Sequence, residues 1–209
     1  MNIKIFDKFY KEYDNWFDEN KNIFLSELEA LKKVVPEDKV GLEIGVGSGR
    51  FAEALNIQFG LDPSINMLKL AQNRNITVAK GIGEELPFKE NSFDFVLLAT
   101  TLAFVKNIHK LFMEIKRVVK QSGHVIAGII DSDSFLGDIY REKTTSKFYS
   151  NCKFLSTLQL IEHFKRNDIL ITEIYQTLFK IPALIKDVEP VKISFGDGGY
   201  VVVKGLNIK

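Results

Sequence analysis

Four glycines fall within the nine residues Gly41-Leu-Glu-Ile-Gly-Val-Gly-Ser-Gly49, and Arg50 and Phe51 follow. Glycine so dense costs backbone entropy, which points to a place where the chain turns tightly or lets another group approach its backbone. After the acid Glu43, the glycines Gly45, Gly47 and Gly49 recur at every second position. A loop that cradles a nucleoside triphosphate ends Gly-Lys-Ser/Thr, whereas this one ends Gly49-Arg50-Phe51. A dinucleotide loop, G-x-G-x-x-G, needs glycine at 50, where an arginine stands. Asp62 closes the next apolar run. A carboxylate there can accept hydrogen bonds from both hydroxyls of a ribose, or it can cap the helix that follows.

The pattern around these residues predicts the elements that hold them. Phe6, Phe9, Tyr10, Tyr13 and Phe17 recur at helical spacing, which predicts a helix over 3–18 with an aromatic face. Leu25, Leu28 and Leu31 predict a second helix over 22–34. Strands are expected at 40–44, 57–61, 76–79, 93–99, 125–130, 169–177 and 200–204. Helices are expected at 50–56, from Pro63 through Ala71, and over 108–119, the last stopped by Gly123. Ser156 and Gln159 form a capping-box pattern that opens a helix to Asn167. This alternation reads as one α/β domain with a mostly parallel sheet. In such sheets ligands sit beyond the carboxyl ends of the strands, so segments 43–50, 62–67, 81–88 and 99–104 are expected to share one crevice.

The bulk properties narrow the classes. The 209 residues carry 28 Lys+Arg against 27 Asp+Glu, a net charge of +1 that gives no broad footprint for nucleic acid or an anionic membrane. The single cysteine, Cys152, excludes an internal disulfide framework and fits a reducing compartment. No early apolar run has the length of a signal or spanning segment. The chain therefore reads as a cytoplasmic protein without nucleic-acid or membrane partners.

The stretches LEIGVGSGRF, GLDPSINMLKLA, GIGEELPFKENSFDFVLLATTLAFV and FMEIKRVVKQSGHVIAGIID span residues 40 to 131. Together they resemble the class I S-adenosylmethionine-dependent methyltransferases. The resemblance is to the small-molecule group called type 11, which includes ubiquinone/menaquinone-biosynthesis methyltransferases. It implies a three-layer Rossmann-like α/β fold whose seven-stranded sheet is mostly parallel with its last strand antiparallel, under an N-terminal helical lid. Residues 1–35 would form the cap, 36–131 the cofactor core, 132–155 a substrate-side insertion and 156–209 the closing helix and strands. S-adenosylmethionine would be the donor and S-adenosylhomocysteine the product, with a small-molecule acceptor, no metal, and a monomer or homodimer as the working form.

Position by position, the resemblance places Gly45, Gly47 and Gly49 under the methionine part of the cofactor, with Glu43 near its ammonium group. Asp62 would hold the ribose, Pro63, Ser64 and Met67 an adenine face, and Gly83 and Glu84 the adenine edge; Thr100 joins the cofactor contacts. Many relatives carry aspartate where Ile82 stands, so adenine recognition here would rest on backbone groups and packing. The resemblance leaves open a catalytically silent cofactor-binding module and, further off, a nicotinamide-dependent oxidoreductase.

Methyl transfer from a sulfonium is an in-line displacement that positioning can accelerate, though an acceptor may also need to lose a proton. No catalytic base stands out. His109, His124 and His163 fall in structural settings, and Asp131 and Asp133 at the end of a strand are better placed. The acceptor side would come from segments outside the shared core. These are Tyr10, Tyr13 and Trp16, whose polar edges want partners, then Phe104, Asp131, and Tyr140 and Tyr149 in the long connection after Asp131. Cys152 lies in that connection without a histidine neighbour or any other mark of a reactive thiol. The Asn/Asp-Pro-Pro-aromatic motif of nucleic-acid amino methylation is missing, since Asp62-Pro63-Ser64 breaks it at its third place.

Overall fold

The computed structural model describes residues 3–142, 146–149 and 152–208; parts of the 132–155 insertion, at 143–145 and 150–151, lie outside them. Among the described residues, eight strands form one sheet in the order β3-β2-β1-β4-β5-β8-β6-β7. Strands β1 (Gly41–Ile44), β2 (Phe59–Asp62), β3 (Thr77–Lys80), β4 (Phe93–Ala99) and β5 (Val119–Ile130) run parallel. Strand β8 (Tyr200–Asn207) inserts antiparallel between β5 and β6 (Ile169–Thr177). The two-residue β7 (Lys192–Ile193) is an edge strand that the sequence pattern did not announce.

Alternation along the central strands divides the core in two. Phe95, Leu97 and Ala99 of β4, with Ile126 and Ile130 of β5, face one layer; Val96 and Leu98, with Val125, Ala127 and Ile129, face the other. The first layer holds α3 (Lys21–Lys32), α4 (Arg50–Ala54), α5 (Ile65–Asn73) and α7 (Phe135–Glu142). The second holds α6 (Ile108–Val118), with Leu111, Phe112, Ile115 and Val118 buried, and α8 (Thr157–Arg166). The Ser156 capping box opens α8 as expected.

Several elements depart from the sequence pattern. The expected 3–18 helix breaks at Phe9 (φ −110°, ψ 29°) into α1 (Ile3–Lys8) and α2 (Tyr10–Glu19). Strand β5 starts at Val119, because Gly123 does not end a helix but lies inside the strand beside a register shift. A Cβ there would stand 2.7 Å from the Asp94 carbonyl oxygen. Helix α7 occupies what reads as a plain connection. No helix among the described residues is long and apolar enough to cross a membrane.

Candidate active site

Strands β1, β2 and β4 end side by side, and the turns after them build a cleft. The turn after β1 favours glycine: Gly45 (φ +75°) and Gly47 (φ +52°) both lie in the left-handed region. The N–H groups of Gly45 and Val46 both donate to the Leu61 carbonyl, fixing the turn on β2 (2.7 and 3.0 Å). A Cβ on Gly45 would stand 2.5 Å from Thr101 Oγ1, whereas one on Gly47 would meet only Tyr13, at 3.8 Å. A side chain at Gly47 would therefore make only an ordinary contact, at a point where the residue lines the cleft.

Asp62 closes β2 and is 5% exposed. Its Oδ2 accepts the Gly47 N–H (3.1 Å) and its Oδ1 the Ser64 N–H (2.8 Å), so one carboxylate ties the two turns together. Burial pushes it up to about 6, against those two donors, which favour its charged form. The helix cap is Ser64, whose Oγ accepts from Met67 N (3.3 Å); Pro63 therefore precedes the cap instead of lying in the first turn. Glu43 is 2% exposed, its Oε2 has no hydrogen-bond partner, and burial holds its carboxyl well above the usual range. Thr100 follows β4 with φ +55°, a left-handed conformation rare for a residue with a Cβ. Its N–H is held by the Gly128 carbonyl (2.9 Å).

These residues border adjoining cavities. Gly45, Gly47, Asp62, Met67 and Thr100 line a narrow space of about 30 Å³, closed by Phe6, Tyr13 and Phe104. Gly45, Pro63, Ile82, Gly83 and Glu84 line a larger one of about 160 Å³. A third, about 340 Å³, lies between Phe6, Phe104, Phe148 and Lys106, Lys147 and Lys153. Phe104 is a wall of all three.

Other expected site residues have partners within the fold itself. Gly49 faces away from the cleft: its φ of +88° turns the chain into α4, and a Cβ would stand 2.5 Å from Ile76. Ser64 donates its hydroxyl to Asp7 (2.8 Å) and is buried beneath α1. Glu84 Oε1 accepts the N–H groups of Lys106 and Asn107 (3.0 and 3.3 Å), which occupies it at the entry to α6. Asp131 is an anchor for α8, since it accepts from Thr157 Oγ1 (2.6 Å), Thr157 N (3.3 Å) and Asp133 N (3.0 Å). Tyr10 and Trp16 line none of these three cavities. Trp16 packs edge-on against Phe17 (5.3 Å), and Tyr10 lies beneath the Lys11 ammonium. His163 stacks on Phe112 (5.8 Å) on the second layer.

The residues that hold α1 and α2 over the cleft went unread in the sequence. Asp7 accepts from Ser64 Oγ and Asn66 N (2.8 and 3.0 Å). Asp14 receives Arg50 Nε (2.8 Å) and Arg74 Nη2 (3.1 Å), while Arg74 Nη1 also donates to the Ser48 carbonyl (2.8 Å). Arg50, noticed only as a mismatch to a dinucleotide loop, is a clamp between that loop and α2. Glu27 is a second omission. It occupies the buried stripe Ile23, Glu27, Ala30, Leu31, Val34, where an acid among apolar residues at helical spacing was the available signal.

Comparison with known proteins agrees with this geometry. A methyltransferase domain family matches residues 42–127. An uncharacterized protein of Methanocaldococcus jannaschii is 47% identical over 207 residues, 99% of this chain and 100% of its own. A structure from Thermotoga maritima, described as a SAM-dependent methyltransferase and possible histamine N-methyltransferase, is 41% identical. It superposes with a TM-score of 0.94 over 98% of each chain. The demethylmenaquinone methyltransferase of Bacillus licheniformis is 30% identical over 139 residues, 58% of this chain and 59% of its own.

Proposed function

We infer the reaction from one premise: the chain belongs to the class I S-adenosylmethionine-dependent methyltransferases, and S-adenosylmethionine is its methyl donor. The acceptor, in our reading, is a small molecule. The observation that carries this is enclosure. Phe6 and Tyr13 from α1 and α2 lie over the glycine turn, with Phe104 and Phe148 against them at ring distances of 5.1–5.4 Å. A site roofed in this way admits a compact acceptor and excludes a polymer strand or a folded surface.

The residues present suit the donor. Gly47 offers backbone with free space in front of it, Glu43 an unpartnered buried carboxyl oxygen, and Asp62 a carboxylate at the cleft wall. We assign Gly45 and Gly47 to the methionine part, Glu43 to its ammonium group, Asp62 to the ribose hydroxyls, and Pro63 and Met67 to the adenine faces. Gly83 lies at the adenine edge, Thr100 beside the reacting centre, and Ile82 packs the adenine instead of reading its amino group. The donor supplies an electrophilic methyl group, and the protein's part is alignment and exclusion of water. Tyr13 is kept neutral first by burial and then by the nearby Asp62 carboxylate, so its phenol can offer a hydrogen bond beside the site. Residues 1–35 act as a cap and 132–155 as the acceptor-side wall of the 36–131 core, closed by 156–209.

The test is acceptor-dependent formation of S-adenosylhomocysteine with cell extract separated by size. We expect the low-mass fraction to support turnover. Turnover only with protein or nucleic-acid fractions would reject the small-molecule reading, and none with any fraction would favour a silent binding module.

A further inference from the structure

The donor leaves the largest of the three cavities unclaimed. Its volume, about 340 Å³, lies within the roughly 300–1,000 Å³ of small-molecule pockets. Phe6, Phe104 and Phe148 give it aromatic walls, and Lys106, Lys147 and Lys153 supply its charge. Among the described residues no acid lines it. Phe6 and Phe104, edge-on at 5.1 Å, also wall the narrow donor cleft, so the two spaces adjoin.

The whole chain is nearly neutral, with 28 Lys+Arg against 27 Asp+Glu, so three lysines without an acid are a local excess. One of them is already engaged. Lys147 gives its ammonium to both oxygens of Glu12 (2.7 and 2.8 Å) and rests over the Phe9 ring (4.3 Å). The Lys106 and Lys153 side chains have no hydrogen-bond or ion-pair partner among the described residues. Their backbones are nevertheless fixed. Lys153 N–H donates to the Ala103 carbonyl (3.0 Å) and Lys106 N–H to Glu84 Oε1 (3.0 Å), which holds both beside the short helix Thr101–Phe104. Glu84 itself lines the neighbouring cavity, where it is occupied by the Lys106 and Asn107 N–H groups. A recess with apolar walls and one sign of charge concentrates its field on a ligand of the opposite sign. Lysine stems can cover the aromatic walls while their ammonium groups stay at the mouth.

We propose that the methyl acceptor carries an anionic group, a carboxylate or a phosphate ester, on an apolar body. Lys106 and Lys153 receive the anion in the outer cavity while the body lies against Phe104. The proposal rests on the small-molecule methyltransferase reading and names its substrate class. None of the three lysines lines the narrow donor cleft, so the anion is a handle held apart from the atom that is methylated. A cationic acceptor would be repelled by two ammonium groups with no acid between them. A neutral one would gain only ordinary hydrogen bonds, weaker than charge-assisted ones.

The test sorts the low-mass fraction of a cell extract by ion exchange into anionic, neutral and cationic pools. Each pool is supplied with S-adenosylmethionine to the full chain, and S-adenosylhomocysteine should form with the anionic pool. Treating that pool with alkaline phosphatase separates the two sources: lost turnover marks a phosphate ester, and surviving turnover a carboxylate. Lys153→Gln should need about three- to tenfold more of the anionic pool for half-maximal rate, between the worth of an exposed ion pair and of a charged hydrogen bond. Its S-adenosylhomocysteine affinity and melting temperature should match wild type, and Lys153→Arg should restore most of the loss. Adding Lys106→Gln should raise the requirement beyond about tenfold. Lys106 also borders the cavity of Ile82, so Lys153→Gln carries the test. Turnover with the neutral or cationic pool instead, or an unchanged requirement in Lys153→Gln, overturns the proposal and leaves the small-molecule reading standing. No turnover with any low-mass pool would overturn that reading, and the proposal with it.

Discussion

Removing Arg50 should undock the helix that roofs the site. Its guanidinium donates Nε to Asp14 Oδ1 (2.8 Å) and Nη2 to Asp14 Oδ2 (3.0 Å), and both Nη groups to Asp18 (2.9 and 2.7 Å). The Arg50 and Asp14 side chains are only 19% and 14% exposed, whereas Asp18 is 68% exposed. A charge-assisted, partly buried pair contributes about 1.5–3 kcal/mol, and the exposed one about 0.2–1 kcal/mol. Arg74 stays on Asp14 at 3.1 Å, so Arg50→Ala should forfeit about 2 kcal/mol of docking, near the low end of that sum. At 1.4 kcal/mol per tenfold, this is about a 30-fold shift toward undocked α2. Amide exchange of residues 10–19 should speed up by about that factor while β5 keeps its protection. S-adenosylmethionine binding should weaken by no more than the same factor. Arg50→Lys, which keeps the charge but not the planar fork, should fall between. Unchanged exchange in 10–19, or a rise in β5 to match, would refute the clamp.

Gly47→Ala fits the free space but must adopt φ +52°, a cost of about 1–2 kcal/mol; the variant should fold and bind S-adenosylmethionine more than about tenfold weaker by calorimetry. Unchanged affinity would remove Gly47 from the donor site. Asp62 ionises near 6, so S-adenosylmethionine affinity should rise as pH passes upward through that value, and Asp62→Asn should abolish the rise. Glu27 is held at about 8 against an ordinary 4.5, so between those values the folded chain keeps a proton that the unfolded chain has lost. Its contribution to stability is complete below about 4.5 and is lost as pH rises through about 8, by an upper bound of about 5 kcal/mol. Melting curves of wild type should therefore fall away from those of Glu27→Gln over this window; parallel curves would contradict a Glu27 held protonated by burial.

What the sequence revealed was whatever depends on local spacing. Apolar runs marked β1, β2 and β4 because central parallel strands are buried on both faces, and Leu111, Phe112, Ile115 and Val118 marked α6 by their period. Gly45 and Gly47 were legible because few other residues tolerate their backbone angles. What escaped depends on tertiary partners. Nothing near Arg50 shows that Asp14 will lie opposite it, and nothing near Asp131 shows that Thr157 will take its carboxylate. Gly49 carried the same signal as its neighbours, and the structure adds a constraint of its own, Ile76, 2.5 Å from where a Cβ would stand. The break at Phe9 and the two-residue β7 are set by packing that no periodicity records.

Transfer of an isotopically labelled methyl group tests the central claim most directly. The protein is incubated with S-adenosylmethionine deuterated at its methyl group and the low-mass fraction of a cell extract, and products are read by mass spectrometry. The account predicts a labelled low-mass product formed together with S-adenosylhomocysteine, by wild type and much more slowly by Gly47→Ala at limiting S-adenosylmethionine. Label appearing only in protein or nucleic acid, or equally with both proteins, would contradict it.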